Sequence, residues 1–370
     1  MKALILSCNT GGGHNSAGKA LYEEITNRGI YCELCDALKF SSEKASDRIS
    51  NLYIQSTLKA PNAFGFCYKA GEIVNKLPIK SPVYYANKLY AKNLHRYILQ
   101  NEFDTIIMPH VFPAETVTYL KKRKNLQVTA CAVATDYTCI PFFDETEMDY
   151  YFIPSSLLKD EFLKKSVSKN SIVSSGIPVS GKFNVKTQKS TARASLHLPE
   201  NKPTVLIMTG SMGFGNLTAF IRLLFERLPK NTQIVLLCGN NEQMKARLRS
   251  DFPENNNLHL VDFTDQVPLY MDACDILITK PGGLSSTEAA VKNVPLIHSF
   301  PIPGCETKNV EFFVQNGMSL SGKDENELAD AAAKLLKDEK LQKQMLKNQR
   351  NIINPFAAKT ICDTLLHRQA

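Results

Sequence analysis

Thr279-Lys280-Pro281-Gly282-Gly283-Leu284-Ser285-Ser286-Thr287-Glu288 carries the chain from an apolar run, Asp275–Thr279, into a polar helical start. The Pro-Gly-Gly turn ends the strand, and two serines and a threonine open the helix with hydroxyl donors. A helix start leaves backbone N–H groups unpaired, which suits a diphosphate. Glu288, one turn in, can accept both hydroxyls of a ribose. Strand, glycine turn and helix in this order form the ligand-binding unit of a doubly wound α/β domain. Two neighbouring segments repeat the arrangement. Gly210-Ser211-Met212-Gly213-Phe214-Gly215-Asn216 follows the run Thr204–Thr209, and Pro301-Ile302-Pro303-Gly304-Cys305-Glu306-Thr307-Lys308-Asn309 follows Pro295–Ser299. One such loop is an ordinary connection, but three along one domain mark a binding edge.

Outward from this stretch, the runs Gln233–Cys238 and His259–Phe263 complete a second-half series of strands separated by helices. The first half repeats the alternation with Ala3–Cys8, Tyr31–Leu38, Thr105–Met108, Val128–Thr135, Tyr151–Pro154 and Ile172–Val179. Continuous apolar runs of this length fit parallel strands covered on both faces. Ser180–Pro203 is polar and poor in strand formers, and reads as the connection between domains. The expected architecture is α/β, with two doubly wound Rossmann-like domains facing a central cleft. Residues 1–180 form the first domain, 181–350 the second, and 351–370 a last helix that packs back towards the first.

Gly11-Gly12-Gly13-His14 directly follows the first strand and is expected to precede a helix whose composition is clearest over Ala17–Ile25. Glycines there let backbone approach a ligand, and His14 would sit at the carboxyl end of the sheet, where doubly wound folds bind. Gly13, Gly18 and Lys19 match most of a P-loop. Ala20 stands where Mg²⁺ binding needs Ser or Thr, so the match is fortuitous.

Length and composition exclude several classes. The chain has 370 residues, 44% hydrophobic and 22% charged, with no low-complexity tract, which excludes disorder, collagen and coiled coil. No run approaches ~20 apolar residues, so no membrane span is expected. The opening Met1–His14 is too short in its apolar part for a signal peptide, which places the protein in the cytoplasm. Ten cysteines agree with a reducing compartment. Cys32 and Cys35 make a C-x-x-C, but on one strand they face opposite ways and have no second pair, so no metal site is expected.

The net charge of +8 is unevenly spread. Between Lys59 and Gln100 there are seven cations (Lys59, Lys69, Lys76, Lys80, Lys88, Lys92, Arg96) against Glu72 alone, interleaved with Phe64, Phe66, Tyr68, Tyr84, Tyr85, Tyr90 and Tyr97. This pattern fits an anionic membrane surface, and equally single-stranded nucleic acid or a solvated basic face.

These motifs together resemble the glycolipid synthases of glycosyltransferase family 28, the monogalactosyldiacylglycerol synthases and processive diacylglycerol glucosyltransferases. The resemblance runs from Ala3 to about Gly317. It rests on Gly11 to His14, Pro109-His110, the G-x-x-G-x-G loop at Gly210, Gly213 and Gly215, the K-P-G-G-x-x-x-x-E motif of Lys280 to Glu288, and the loop Pro301 to Asn309. It implies a GT-B fold, a UDP-glucose or UDP-galactose donor as substrate, and a diacylglycerol-type acceptor. It also implies inversion at the anomeric carbon, no metal or cofactor, no nucleic-acid partner, and a peripheral position on the inner face of the cell membrane through 59–100. Carried over by position, Glu288 holds the uridine ribose, Ser285 and Ser286 the diphosphate, Glu306 the sugar hydroxyls, and Val261-Asp262-Phe263 the uracil edge, with Gly210, Ser211, Gly213, Gly282, Gly283 and Asn309 also donor-binding. Two positions depart from the family. Cys305 replaces its glutamine, and Ile140-Pro141-Phe142-Phe143 replaces an H-P-x-W that follows Thr135-Asp136.

Transfer of the sugar requires a base for the acceptor hydroxyl and neutralisation of the departing diphosphate. His14 is the expected base, with Asp136 as an orienting or alternative carboxylate and His110 next. Gly11, Gly12 and Gly13 form the acceptor loop. The competing readings are a lipid-linked GlcNAc transferase of cell-wall synthesis, which shares the fold, and a UDP-sugar epimerase.

Overall fold

A computed structural model describes residues 1–9, 12–42, 80–165, 167–208, 216–253 and 255–367. Gly11, Gly210, Ser211, Gly213 and residues 59–79 of the basic stretch lie outside the described residues. The chain divides into two units. One comprises Met1–Ser180, Ile302–Lys308 and Asn354–Ala370; the other comprises Gly181–Pro301 and Asn309–Ile353.

The first unit holds a parallel sheet of β1 (Ala3–Ser7), β2 (Cys32–Asp36), β3 (Thr105–Met108), β4 (Thr129–Val133), β5 (Tyr150–Ile153) and β6 (Ile172–Ser174). Their order is β2-β1-β3-β4-β5-β6. The central strands β1 and β3 are buried at every position, which explains their uninterrupted apolar sequence. Strand order reverses about β1, so the segments leaving β1 and β3 flank the point where such sheets open to a ligand. His14 leaves β1 and His110 leaves β3.

The helix after β1 spans Gly12–Asn27. It begins earlier than the composition predicts, taking two glycines and His14 into its first turn. Asn15 explains the early start: it accepts from the Ser7 hydroxyl at 2.6 Å and donates to Asn9 Oδ1 at 2.8 Å, tying the first turn to the end of β1. Further along, Gly18 is buried against the sheet. A Cβ there would meet Leu34 Cδ1 at 3.1 Å and Ile5 Cγ2 at 3.4 Å, so its glycine serves close helix–sheet contact. The last helix, Ala357–His367, lies on this same helix. Its Ile361, Cys362 and Leu365 join Ala3, Ile5, Leu21 and Ile25 in one core cluster, each large apolar side chain contributing ~1.5–3 kcal/mol. Arg28 reaches Asp363 at 2.7 Å across the same seam.

The second unit holds β7 (Thr204–Met208), β8 (Gln233–Gly239), β9 (Leu258–Asp262), β10 (Ile276–Thr279), β11 (Leu296–His298) and β12 (Leu320–Ser321), all parallel, in the order β12-β11-β10-β7-β8-β9. Here the order reverses between β7 and β10. β7 ends and the Pro-Gly-Gly turn leaves β10 on either side of that point.

Candidate functional site

The first unit builds a histidine site from three strand ends. His14 Nδ1 lies 2.9 Å from the Pro109 carbonyl, after β3, and 2.8 Å from Thr135 Oγ1, after β4. A carbonyl can only accept, so Nδ1 carries the ring proton and Nε2 carries the lone pair of the neutral imidazole. Burial pulls His14 below the ordinary imidazole value, while the Asp136 charge and the Pro109 carbonyl act the other way. The ring is therefore neutral near pH 7, with its basic nitrogen on the side opposite Pro109.

His110 stands at 4.5 Å from His14, centroid to centroid, with the rings at 75°. Its Nδ1 accepts the Phe112 N–H at 3.1 Å and caps the helix Val111–Lys124. In the neutral ring the proton is then on Nε2. Burial, with His14 second, pushes the His110 pKa well below the ordinary value. His110 is accordingly a neutral helix cap beside the His14 ring, with its Nδ1 engaged by the Phe112 N–H. Sequence reasoning could not distinguish these tasks, because histidine is an uncommon N-cap.

Asp136 is half-buried directly after Thr135, and its charge acts on both His14 and Cys305. The loop beyond it is braced from the helix Lys159–Lys164, where Glu161 accepts from Thr138 Oγ1 at 2.6 Å and from the Cys139 N–H at 2.8 Å. Phe142 in this loop has φ +69°, a left-handed conformation that costs a bulky residue energy. The backbone strain thus falls on the Ile140–Phe143 segment that departs from the family pattern. The segment Ile302–Lys308, read from sequence as part of the second domain, belongs to the first unit. Glu306 closes its turn by accepting the Ile302 N–H at 2.7 Å. Burial first, then the Asp136 and Glu306 charges, raise the Cys305 thiol well above its usual value, so it remains a neutral thiol.

The second unit presents the helix Gly283–Lys292 after β10. Gly282 is its N-cap and, lacking a side chain, makes no cap hydrogen bond to the leading N–H groups, whereas Asn216 and Asn241 cap the helices after β7 and β8. A Cβ at Gly282 would meet nothing within 4 Å, so the turn faces open space. Gly283 is buried and Ser285 half-buried in this first turn. Burial pushes the half-buried Glu288 carboxyl up to about 8. Ser286 departs from its expected role: it is fully buried, and its hydroxyl meets His298 Nε2 at 2.9 Å in the interior. Asn309 is likewise fully buried, and its amide donates to the Pro281 carbonyl at 2.9 Å, holding the Pro-Gly-Gly turn.

In the same unit a cavity of about 660 Å³ opens past the ends of β7, β8 and β9, lined by Met208, Leu237 to Gln243, Asp262, Phe263, Thr264 and Val267. Phe263 is 73% exposed at its rim, and Asp262 is ion-paired with the buried Lys245. The volume lies in the range of sites that enclose a small ligand. Sequence reading named Phe263 and missed the Cys238–Asn241 wall. The signal was Gly239, whose φ of +57° turns the chain sharply at the end of β8.

Of the basic stretch, the structure describes 80–100. Tyr84 and Tyr90 are buried and Tyr97 is half-buried, its hydroxyl bonded to Glu33. These aromatics lie at helical spacing on inward faces and belong to the core, contrary to a surface reading. The outward face carries Tyr85, Leu89 (81% exposed), Lys92 and Arg96, with Lys88 Nζ 4.2 Å from the Tyr85 ring.

The family model for monogalactosyldiacylglycerol (MGDG) synthase matches residues 14–179, and that for the glycosyltransferase family 28 C-terminal domain matches residues 204–362. The chain is 29% identical over 368 residues to a processive diacylglycerol beta-glucosyltransferase of Bacillus cereus (strain B4264), covering 99% of this chain and 93% of that protein. A protein of the same description from Bacillus thuringiensis (strain Al Hakam) is 28% identical over 367 residues, with the same coverage. Among solved structures, MurG of Acinetobacter baumannii superposes with a TM-score of 0.65 at 13% identity, covering 99% of each chain. MnaA of S. aureus, solved with UDP, gives 0.68 at 15% identity, covering 100% of this chain and 97% of that one. These structural likenesses show the fold, which is GT-B.

Proposed function

The chain belongs to the family 28 glycolipid synthases and is a glycosyltransferase of the diacylglycerol glycosyltransferase type; from that premise we propose that it moves a hexose from UDP-glucose or UDP-galactose to a diacylglycerol-type hydroxyl, with inversion. The observation that carries this reading is the bond from His14 Nδ1 to the Pro109 carbonyl. It leaves Nε2 to take the acceptor proton as the acceptor oxygen bonds to the anomeric carbon and the bond to UDP breaks. The imidazolium formed keeps its Nδ1–H on Pro109 and has Asp136 nearby as counter-charge. The leaving diphosphate is met by the uncapped start of Gly283–Lys292, so the proposed step calls on no metal or cofactor. The cavity past Phe263 takes the nucleoside, and Glu288 the ribose. Glu306 is proposed on the sugar side.

No helix among the described residues is long and apolar enough to cross a membrane. We place the enzyme peripherally on the cytoplasmic face of the cell membrane, held by anionic lipid through 59–100.

Incubation with labelled UDP-glucose, UDP-galactose or UDP-GlcNAc and a mixture of diacylglycerol and a polyprenyl-linked acceptor, followed by product identification, tests the reading. A hexosyl-diacylglycerol is the expected product. A free epimer of the donor, or transfer confined to GlcNAc on a polyprenyl-linked acceptor, would overturn it.

A further inference from the structure

Three buried side chains in the second unit form a hydrogen-bonded row. His298 is the last residue of β11, and its register partner on β10 is Thr279, the residue from which the Lys-Pro-Gly-Gly turn departs. Its Nε2 lies 2.9 Å from Ser286 Oγ and its Nδ1 3.1 Å from Ser319 Oγ. His298 and Ser286 are fully buried, Ser319 is 2% exposed, and the Phe313 ring stands edge-on to the imidazole at 5.1 Å. Burial pushes the imidazole down to about 3, so the ring is neutral at any working pH. A neutral ring donates from one nitrogen and accepts at the other, so the row has a direction: one serine receives and the other gives.

Ser286 could have bonded within its own helix, as its neighbour does: Thr287 Oγ1 donates to the Gly283 carbonyl at 2.6 Å. Ser286 instead reaches out of the helix to His298. Since Gly282 supplies no side-chain cap, the first turn is fixed from outside, by Ser286–His298 on one side and Asn309–Pro281 on the other. Three apolar side chains would fill the same space without polar groups to satisfy. What the satisfied polar row adds is a single directional geometry.

We propose that His298 is a positioning residue for the nucleotide donor: through Ser286 it sets the place of the first turn of Gly283–Lys292, and so donor affinity, without touching the donor. This rests on the reading of that helix as the donor site.

The test measures UDP affinity by calorimetry, together with donor KM, kcat and cooperative melting, for His298→Leu, His298→Gln, Ser286→Ala and the double variant Ser286→Ala/His298→Leu. The glutamine carboxamide can reach Ser286 Oγ, and leucine cannot. We expect His298→Leu and Ser286→Ala each to raise the UDP Kd and donor KM about tenfold with kcat within about threefold, the double variant to be no worse than the worse single one, and His298→Gln to recover most of the loss. Ser286→Ala removes one atom and keeps the measurement on a folded protein should His298→Leu melt. Parent-like affinity in folded Ser286→Ala overturns the proposal, and so does equal loss in the Leu and Gln variants, which would make His298 a packing residue. Glu288→Gln run in parallel separates the layers. If it loses UDP and Ser286→Ala does not, only the positioning role fails; if it too keeps parent affinity, the donor-site reading fails and takes the proposal with it.

Discussion

His14 Nδ1 donates to the Pro109 carbonyl at 2.9 Å, and this bond decides which imidazole nitrogen can act as a base. Pro109 directly follows β3 and His14 lies in the first turn of the helix after β1, so the bond spans the reversal point of the sheet. His110, one residue on, uses its own Nδ1 to cap a helix, which gives two adjacent histidines opposite tautomers and separate tasks.

Replacing His14 with Ala should lower kcat by ~10²–10⁴ while leaving UDP affinity within about twofold, the signature of a lost general base. Because burial lowers the His14 pKa, the acid limb of kcat/KM should have its midpoint below ~6.5. Activity should be full above that midpoint and fall as pH drops through it, since the base must be neutral. A His14→Ala variant with near-parent turnover would move the base to Asp136.

Glu288 gives a second pH signature. Its carboxyl is neutral below about 8 in the folded protein and ionised above ~4.5 in the unfolded chain. The folded state therefore binds the extra proton, and stability falls as pH rises between those two values. Glu288→Gln should remove this slope and raise stability at pH 8 by ~1–3 kcal/mol, while costing UDP binding the charge-assisted ribose bonds, each ~1.5–3 kcal/mol. Parent UDP affinity across pH 6.5–8.5 should strengthen with pH as the carboxylate forms. Melting curves and calorimetry over that range check both, and parent-like UDP affinity in Glu288→Gln would remove Glu288 from the donor site.

The sheets were legible in the sequence because parallel strands buried on both faces, such as β1, β3, β7 and β10, cannot hide their apolar runs. The turn and helix of Lys280–Glu288 were legible for the same local reason: proline, glycine and serine state their conformations wherever they occur. What could not be read depends on register between distant segments. The inward turn of Ser286 requires knowing that His298 ends the neighbouring strand, and the brace from Asn309 to Pro281 joins residues far apart in the chain. Likewise, Tyr84 and Tyr90 read as surface aromatics until the helices carrying them are placed against a core.

The glycine repeat in the first helix separates packing from phosphate binding. A Cβ at Gly18 would stand 3.1 Å from Leu34 Cδ1, so Gly18→Val forces two further methyls into the helix–sheet contact. It should cost ~1–3 kcal/mol with UDP affinity unchanged. Unaltered melting, or stabilisation of the parent by Mg-ATP, would reopen the P-loop reading that Ala20 argues against.

The membrane reading is tested on the described face alone. Leu89 is 81% and Tyr85 56% exposed, with Lys88 against Tyr85 and with Lys92 and Arg96 outward on the next helix. If this face docks on anionic lipid, the protein should sediment with phosphatidylglycerol-rich vesicles and much less with neutral ones. Binding should weaken as added salt shortens the Debye length from ~10 Å at 0.1 M to ~3 Å at 1 M. Each cation near such a surface is worth ~1 kcal/mol, so the triple variant Lys88→Glu, Lys92→Glu, Arg96→Glu should bind vesicles at least about a hundredfold more weakly. Lys80 is left intact because its ammonium holds the Glu145 carbonyl at 2.8 Å and its loss would disturb the fold. UDP affinity should not change, since the proposed nucleotide site is built from the second unit. Leu89→Asp should remove the binding that persists at high salt, which comes from apolar burial. A triple variant that sediments like the parent would make this an ordinary solvated face, and capture of the lipid acceptor would have to run through another part of the chain.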